Sequence, residues 1–239
     1  MLPDELLNTT EQSQPAGTCG VVVKLLRSAQ AARPEVRIEN WNGRLVVVKD
    51  YRVRATPLKL WVGRYLVRRE LAAHKRLAGI DGIPEAIPTP DEHVFAHEYV
   101  EGWPAPEVPE RLDSEFFEAL YELVREIHRR AVAHGDLKRL ENILVRPDGS
   151  PALVDLSAAI MSGSNPLAAV LLGYMQDDDL RAIAKLKARH APHLLTGAER
   201  QLLVQRSAAE SLWRWARSYL RPWLQSRSDS HIGGMASQD

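Results

Sequence analysis

The chain of 239 residues has a single cysteine, Cys19, so no intramolecular disulfide can form, and a cysteine-built zinc site is not expected. Its longest apolar run, 166–175, is far shorter than the roughly 20 residues that cross a bilayer. The opening MLPDELLNTT has two acids and no basic stretch, unlike a secretory signal. There is no internal repeat. Net charge is also missing, with 31 basic side chains against 31 acidic ones, so no domain-wide positive excess points to nucleic acid as a partner. These absences predict a soluble, cytoplasmic protein.

The zero balance hides an asymmetry. Residues 44–76 carry ten Lys/Arg against Asp50 and Glu70, and residues 91–122 carry ten Asp/Glu against Arg111 alone. The basic stretch reads either as a solvated helix face or as a surface for phosphate or anionic lipid. Residues 1–18 are polar and aperiodic and read as a flexible lead-in; 228–239 read as a disordered tail.

Between them lie two differently built halves, an N-lobe over 19–102 and a C-lobe over 103–227. In the first, strands are expected at 21–26, 35–40 and 44–50. The last two flank Asn42-Gly43, which supplies the positive φ angles of a tight hairpin. A helix comes next over about 60–77, then a short strand pair at 86–87 and 94–99. In the second half Asp113 or Ser114 caps a helix whose Phe116, Leu120, Leu123, Val124 and Ile127 fall at helical spacing. Short strands at 143–145 and 152–154 flank the turn Pro147-Asp148-Gly149. The remainder to about Gln225 reads as helix, with the triplet Asp177-Asp178-Asp179 placed at a helix start, where acids favour the dipole.

Chemistry gathers at the strand ends. Lys49 closes the apolar run Val46-Val47-Val48, and an ammonium there calls for an anion. Glu70 on the next helix is the natural partner; alternatively Lys49 snorkels to solvent and Glu70 pairs within its own helix. Asp136 lies on a loop after a helix, Asn142 just before a strand, and Asp155 at the end of the strand paired with it. Three oxygen-bearing side chains thus converge at one end of a hairpin, a donor set suited to Mg2+. His93, His97, His128, His190, His193 and His231 show no metal-ligand spacing.

In order, the motifs are Val-Val-Val-Lys49, Arg68-Arg69-Glu70 with Gly82-Ile83-Pro84 beyond it, His97-Glu98-Tyr99-Val100-Glu101-Gly102, and His134-Gly135-Asp136-Leu137-Lys138 with Asn142 and Asp155. This series resembles the protein-kinase-like superfamily, an α+β fold with a small β-rich lobe and a larger helical lobe. It is most similar to small bacterial members of the RIO type and to lipopolysaccharide-core (3-deoxy-manno-octulosonate) kinases. The resemblance implies transfer of the γ-phosphate of ATP, with Mg2+, to a hydroxyl of a protein Ser/Thr or of a lipopolysaccharide-core sugar. It also implies that Lys49 holds the phosphates, oriented by Glu70. Asn142 and Asp155 hold Mg2+, Asp136 orients the acceptor hydroxyl, Lys138 offsets phosphoryl charge, and backbone groups of Glu98 and Val100 hold adenine. One aspartate of the 177–179 triplet would anchor the catalytic loop, and His134 would support it.

Four departures accompany the likeness. Residues 27–34 read RSAQAARP, with no glycine where a Gly-rich loop stands in relatives. Asp136 and Asn142 have five residues between them, one more than usual. Leu156-Ser157 replaces the usual Phe-Gly, and no Ala-Pro-Glu motif comes after it. A pseudokinase, keeping the fold as a scaffold, is therefore the alternative function. A helix over 211–224, with Arg214, Arg217 and Arg221 on one face and Trp215, Tyr219 and Trp223 on the other, reads as an ordinary lobe helix. Its alternative is a peripheral contact at the inner membrane surface, with a glycolipid as acceptor.

Overall fold

The computed structural model describes residues 20–30, 33–54, 56–162 and 166–204; the expectations for 1–18, 211–224 and 228–239 lie outside these. The first five strands are β1 (Val21–Arg27), β2 (Glu35–Trp41), β3 (Arg44–Asp50), β4 (Ala86–Ile87) and β5 (Val94–Glu98). They form one antiparallel sheet in the order β1-β2-β3-β5-β4. Trp41 pairs with Arg44 across a two-residue turn in which Asn42 and Gly43 have φ of 54° and 88°, the geometry whose twist matches that of the strands. Register places Lys49 between Val36 and Phe95, and Val47 beside His97, on one face. Val46, Val48, Val94 and Ala96 form a buried cluster on the other.

Helix α1 (Pro57–Leu77) crosses the Lys49 face. It begins three residues before the apolar periodicity, because Thr56 caps it, accepting from the Lys59 amide at 3.2 Å, and Pro57 occupies the first turn without losing a hydrogen bond. Gly63 lets it sit close to the end of β3: a Cβ there would come within 2.7 Å of the Tyr51 side chain. Tyr51, Val67 and Phe95 fill the space between helix and sheet.

The second lobe holds β6 (Trp103–Pro104), α2 (Ser114–Arg129), β7 (Val132–Ala133), β8 (Ile143–Val145), β9 (Pro151–Leu153), β10 (Ile160–Met161), α3 (Pro166–His190) and α4 (Gly197–Val204). Of the two cap candidates Asp113 performs the task, accepting from the Phe116 amide at 2.8 Å. Strands β6, β8 and β9 make a small sheet, and β7 pairs with β10. The core joins Phe116, Phe117, Leu120 and Ile127 of α2 to Leu137, Ile143, Leu153, Leu156, Ile183 and Leu186. Burial contributes about 1.5–3 kcal/mol for each such side chain. Ala73 and Leu77 of α1 belong to the same core, so the helix of the first lobe is bedded in the second. The aspartate triplet does not start a helix: α3 begins at Pro166, and Asp177, Asp178 and Asp179 lie well inside it. Among the described residues no helix is long and apolar enough to cross a membrane.

Candidate active site

Lys49 ends β3 with only 5% of its surface exposed, and its Nζ lies 2.6 Å from Glu70 Oε1 and 2.6 Å from Asp155 Oδ1. The snorkelling alternative is therefore not what the chain adopts. Burial opposes the Lys49 charge, but the two carboxylates outweigh it and hold the ammonium above its ordinary pKa. For Asp155 burial pulls upward and Lys49 prevails, keeping the carboxyl well below the usual range. Glu70, fully buried on α1, is raised by burial against the pull of Lys49, and its Oε2 has no hydrogen-bond partner.

Asp155 adopts φ +64° and ψ +66°, the left-handed region, where a non-glycine residue bears strain of order 1–2 kcal/mol. It stands where the chain leaves β9 and turns into the 3₁₀ segment Leu156–Ala158. Arg69, adjacent to Glu70, grips the stretch beyond that turn. Its Nε and Nη2 donate to the Ala159 carbonyl at 3.1 and 2.9 Å, and Arg76 donates to the Ser162 carbonyl at 3.2 Å. Sequence reasoning missed both ties, although Arg68-Arg69 directly before Glu70 was the signal.

The loop carrying Asp136 hangs from α3. The Asp179 carboxylate accepts from the amides of His134 (2.7 Å) and Gly135 (3.0 Å), and lies 3.2 Å from His128 Nε2. Asp179 is thus the member of the triplet that anchors the loop. His134, fully buried and held neutral by burial, donates from Nε2 to the Val154 carbonyl at 3.0 Å, tying the loop to the strand that leads into Asp155. Gly135 has φ +78°, and a Cβ there would meet the Ala158 carbonyl oxygen at 2.6 Å. The longer spacing to Asn142 is taken up by the 3₁₀ turn Leu140–Asn142, closed by the Arg139 amide on the Asp136 carbonyl at 3.2 Å and the Asn142 amide on the Arg139 carbonyl at 2.9 Å.

Asn142 donates from Nδ2 to the Asp136 carbonyl at 3.1 Å, which leaves its side-chain oxygen as the free hard donor. Among the described residues no three His, Cys, Asp or Glu side chains form a metal cluster. One amide oxygen and one carboxylate nevertheless suit Mg2+, which keeps most of its sites for water and phosphate. Asp136 is raised chiefly by burial, with Asp155 adding, against the pull of Arg139 and Lys138. Lys138 Nζ lies 4.0 Å from Asp136 Oδ1 and is 73% exposed; Arg139 Nε, not anticipated from sequence, lies closer, 3.5 Å from Asp136 Oδ2.

At the joint between lobes the Glu98 amide donates to the Glu85 carbonyl (3.0 Å) and the Tyr99 amide to the Leu45 carbonyl (3.1 Å). The Glu98 carbonyl accepts from His97 Nδ1 at 2.7 Å, and its side chain pairs with Arg44. The Val100 amide takes no hydrogen bond among the described residues. His97 packs with His74 and Phe95, their ring centroids 5.1–5.8 Å apart, and burial lowers His74 to about 4 and His97 well below its ordinary value.

A five-stranded antiparallel lobe with one helix, a helical lobe, and a lysine–carboxylate group where the two meet define the protein-kinase-like fold. The family model described as RIO domain matches residues 40–196, and the chain belongs to that family. Among solved structures it is similar to the Rio2 kinase from Chaetomium thermophilum, at 18% identity and a TM-score of 0.55 over 74% of this chain and 60% of that one. It is likewise similar to the Rio2 kinase-ADP/Mg2+-phosphoaspartate complex from the same organism, at 20% identity and a TM-score of 0.56 over 74% of this chain and 58% of that one. The chain therefore spans less than two thirds of those relatives. No curated protein matches it.

Proposed function

We propose that this protein is an ATP- and Mg2+-dependent phosphotransferase that moves the γ-phosphate to an acceptor hydroxyl. The observation that carries the reading is the Lys49 ammonium of the first lobe, buried and fixed at 2.6 Å from both Glu70 and Asp155 of the second-lobe turn. Family membership supports it.

In this reading Lys49 binds the α- and β-phosphates, and Glu70 fixes its direction. The Val100 amide and the second lone pair of the Glu98 carbonyl hold adenine. Asn142 and Asp155 would hold Mg2+, which when bound neutralises triphosphate charge. The acceptor oxygen forms a bond to Pγ while the bond from Pγ to the β,γ-bridging oxygen breaks and ADP leaves. Asp136 takes the hydroxyl proton, a role its raised pKa suits. Lys138 and Arg139 offset charge on the moving phosphoryl group. The need for ATP makes the cytoplasm the setting of this reaction.

The acceptor is a protein Ser/Thr or a lipopolysaccharide-core sugar. The relative solved as an ADP/Mg2+-phosphoaspartate complex favours a second reading, in which a carboxylate of this chain takes the phosphoryl group. One assay separates these: γ-labelled ATP and Mg2+ added to the protein with cell lysate divided into protein and lipid fractions, with Asp136→Ala as control. Acid-stable label in the protein fraction means a hydroxyl on protein, label in the lipid fraction a glycolipid. Hydroxylamine-labile label on the chain itself means an acyl phosphate. No label that depends on Asp136 in any fraction overturns the reading in favour of a scaffold.

A further inference from the structure

Strand β1 ends on Arg27, and a shift of register between Leu25 and Arg27 pairs that residue with Val36, on the working face of the sheet. Arg27 pairs with Val36, Val36 with Lys49, and Lys49 with Phe95, so the four form one row across four strands. Directly paired residues share a face. At about 4.8 Å per strand, Arg27 stands roughly 10 Å from Lys49 along that row. Its Nε is buried with no hydrogen-bond partner, and no ion pair engages it among the described residues. It lies near enough to the Tyr51 hydroxyl to act on it electrostatically, as do Glu70, Lys49 and Asp155. A buried guanidinium N–H with no acceptor, in the same row as a lysine that is itself held between two carboxylates, marks a place for an anion.

The turn beyond Arg27 sharpens the assignment. It contains no glycine and is closed by mutual backbone hydrogen bonds between Gln30 and Arg33 at 3.2 and 3.3 Å. A Gly-rich turn binds phosphate through backbone amides that nothing shields; Cβ atoms prevent that close approach. The family match begins at residue 40, beyond both strand and turn.

We propose that Arg27 is a phosphate ligand, supplying from a side chain the donors that a glycine-rich turn supplies from its backbone to a nucleoside triphosphate held at Lys49. A guanidinium suits the task because its planar fork donates to two phosphate oxygens at once and keeps its charge at every working pH. The inference rests on the phosphotransferase reading and deepens it.

Calorimetric titration of the full chain with Mg·ATP, ADP and adenosine tests it. Arg27→Ala weakens ATP binding about 10- to 100-fold, the scale of a charge-assisted hydrogen-bond pair. Its adenosine affinity stays within about twofold, and Arg27→Lys restores part of the loss. Arg33→Ala, which removes the same charge from an exposed position on the same turn, leaves ATP affinity unchanged. Equal losses for ATP and adenosine in Arg27→Ala mean a structural role and overturn the assignment. So do equal losses in the two alanine variants, or an unchanged ATP affinity. Failure of the wild-type chain to bind Mg·ATP at all removes the phosphotransferase reading, and this inference with it.

Discussion

Exchanging Asp179 for asparagine preserves size and removes charge at the point where the Asp136 loop hangs from α3. The carboxylate accepts from two backbone amides, at 2.7 and 3.0 Å, and is only 2% exposed. Asparagine offers one acceptor oxygen; its NH2 then faces the N–H of either His134 or Gly135 whichever way the amide turns. A hydrogen bond to a charged acceptor contributes about 1.5–3 kcal/mol, and the donor left facing a donor adds its desolvation. The expected cost is about 2–4 kcal/mol, a large share of a domain stability on the order of 5–15 kcal/mol. With m near 2 kcal/mol/M, the urea midpoint falls by roughly 1–2 M. Asp178→Asn is the control. It removes a partly exposed pair with Arg181 at 3.5 Å and costs less than about 0.5 kcal/mol. Phosphoryl transfer by Asp179→Asn drops about 10- to 100-fold, while adenosine affinity holds within about threefold, since the adenine-binding backbone at Glu98 and Val100 lies in the other lobe. If the Asp179→Asn variant loses affinity in step with rate, or its unfolding curve overlays the wild type, the anchoring role is refuted.

Other expectations rest on the same geometry. Asp155→Ala and Asp136→Ala each abolish transfer with the chain still folded by circular dichroism; retained transfer by the Asp155 variant would sink the metal assignment. Glu70→Gln leaves Lys49 to Asp155 alone and raises the KM for ATP about tenfold, against an unchanged value if Glu70 is passive. Gly135→Ala forces a Cβ onto the Ala158 carbonyl at a positive φ, costs about 1–3 kcal/mol and slows transfer; a wild-type melting curve would contradict this. His74 titrates near 4 when folded and at 6.5 when unfolded, so its contribution is complete above pH 6.5 and falls away as pH drops toward 4. That amounts to about 3 kcal/mol. His74→Phe should flatten the pH dependence of urea unfolding over that window, and an undiminished slope argues against the buried neutral imidazole.

Local signals told most about the first lobe. Asn42-Gly43 specified the hairpin and its register, and that register alone put Lys49 on the face that meets α1. The start of α1 went unread because apolar spacing begins at Leu60, while the cap Thr56 and the first-turn Pro57 that start the helix carry no periodicity. The triplet at 177–179 held the expected loop anchor but misled on position: acids do favour helix starts, and only the tertiary fold reveals that it lies mid-helix and that Asp179 is the member facing two backbone amides of another segment. The basic stretch 44–76 likewise looked like a solvated face. Lys49, Arg52, Lys59 and Arg69 in it are committed to partners at long and short range, which charge counting along the chain cannot register. Arg37, 2% exposed among Glu35, Glu39 and Asp50, belongs to the same class of buried pairing.

The grip of Arg69 and Arg76 on the carbonyls of Ala159 and Ser162 bears on control. Many two-state enzymes idle by letting one catalytic carboxylate swing away on its helix while the other stays. Here the helix bearing Glu70 and the segment downstream of Asp155 are pinned to each other, and Ala73 and Leu77 root that helix in the opposite lobe. Displacing Glu70 alone means breaking three hydrogen bonds and opening a hydrophobic core, so an idle state of that kind is scarcely populated. Glu70 and the segment beyond Asp155 therefore shift together, as one body spanning both lobes.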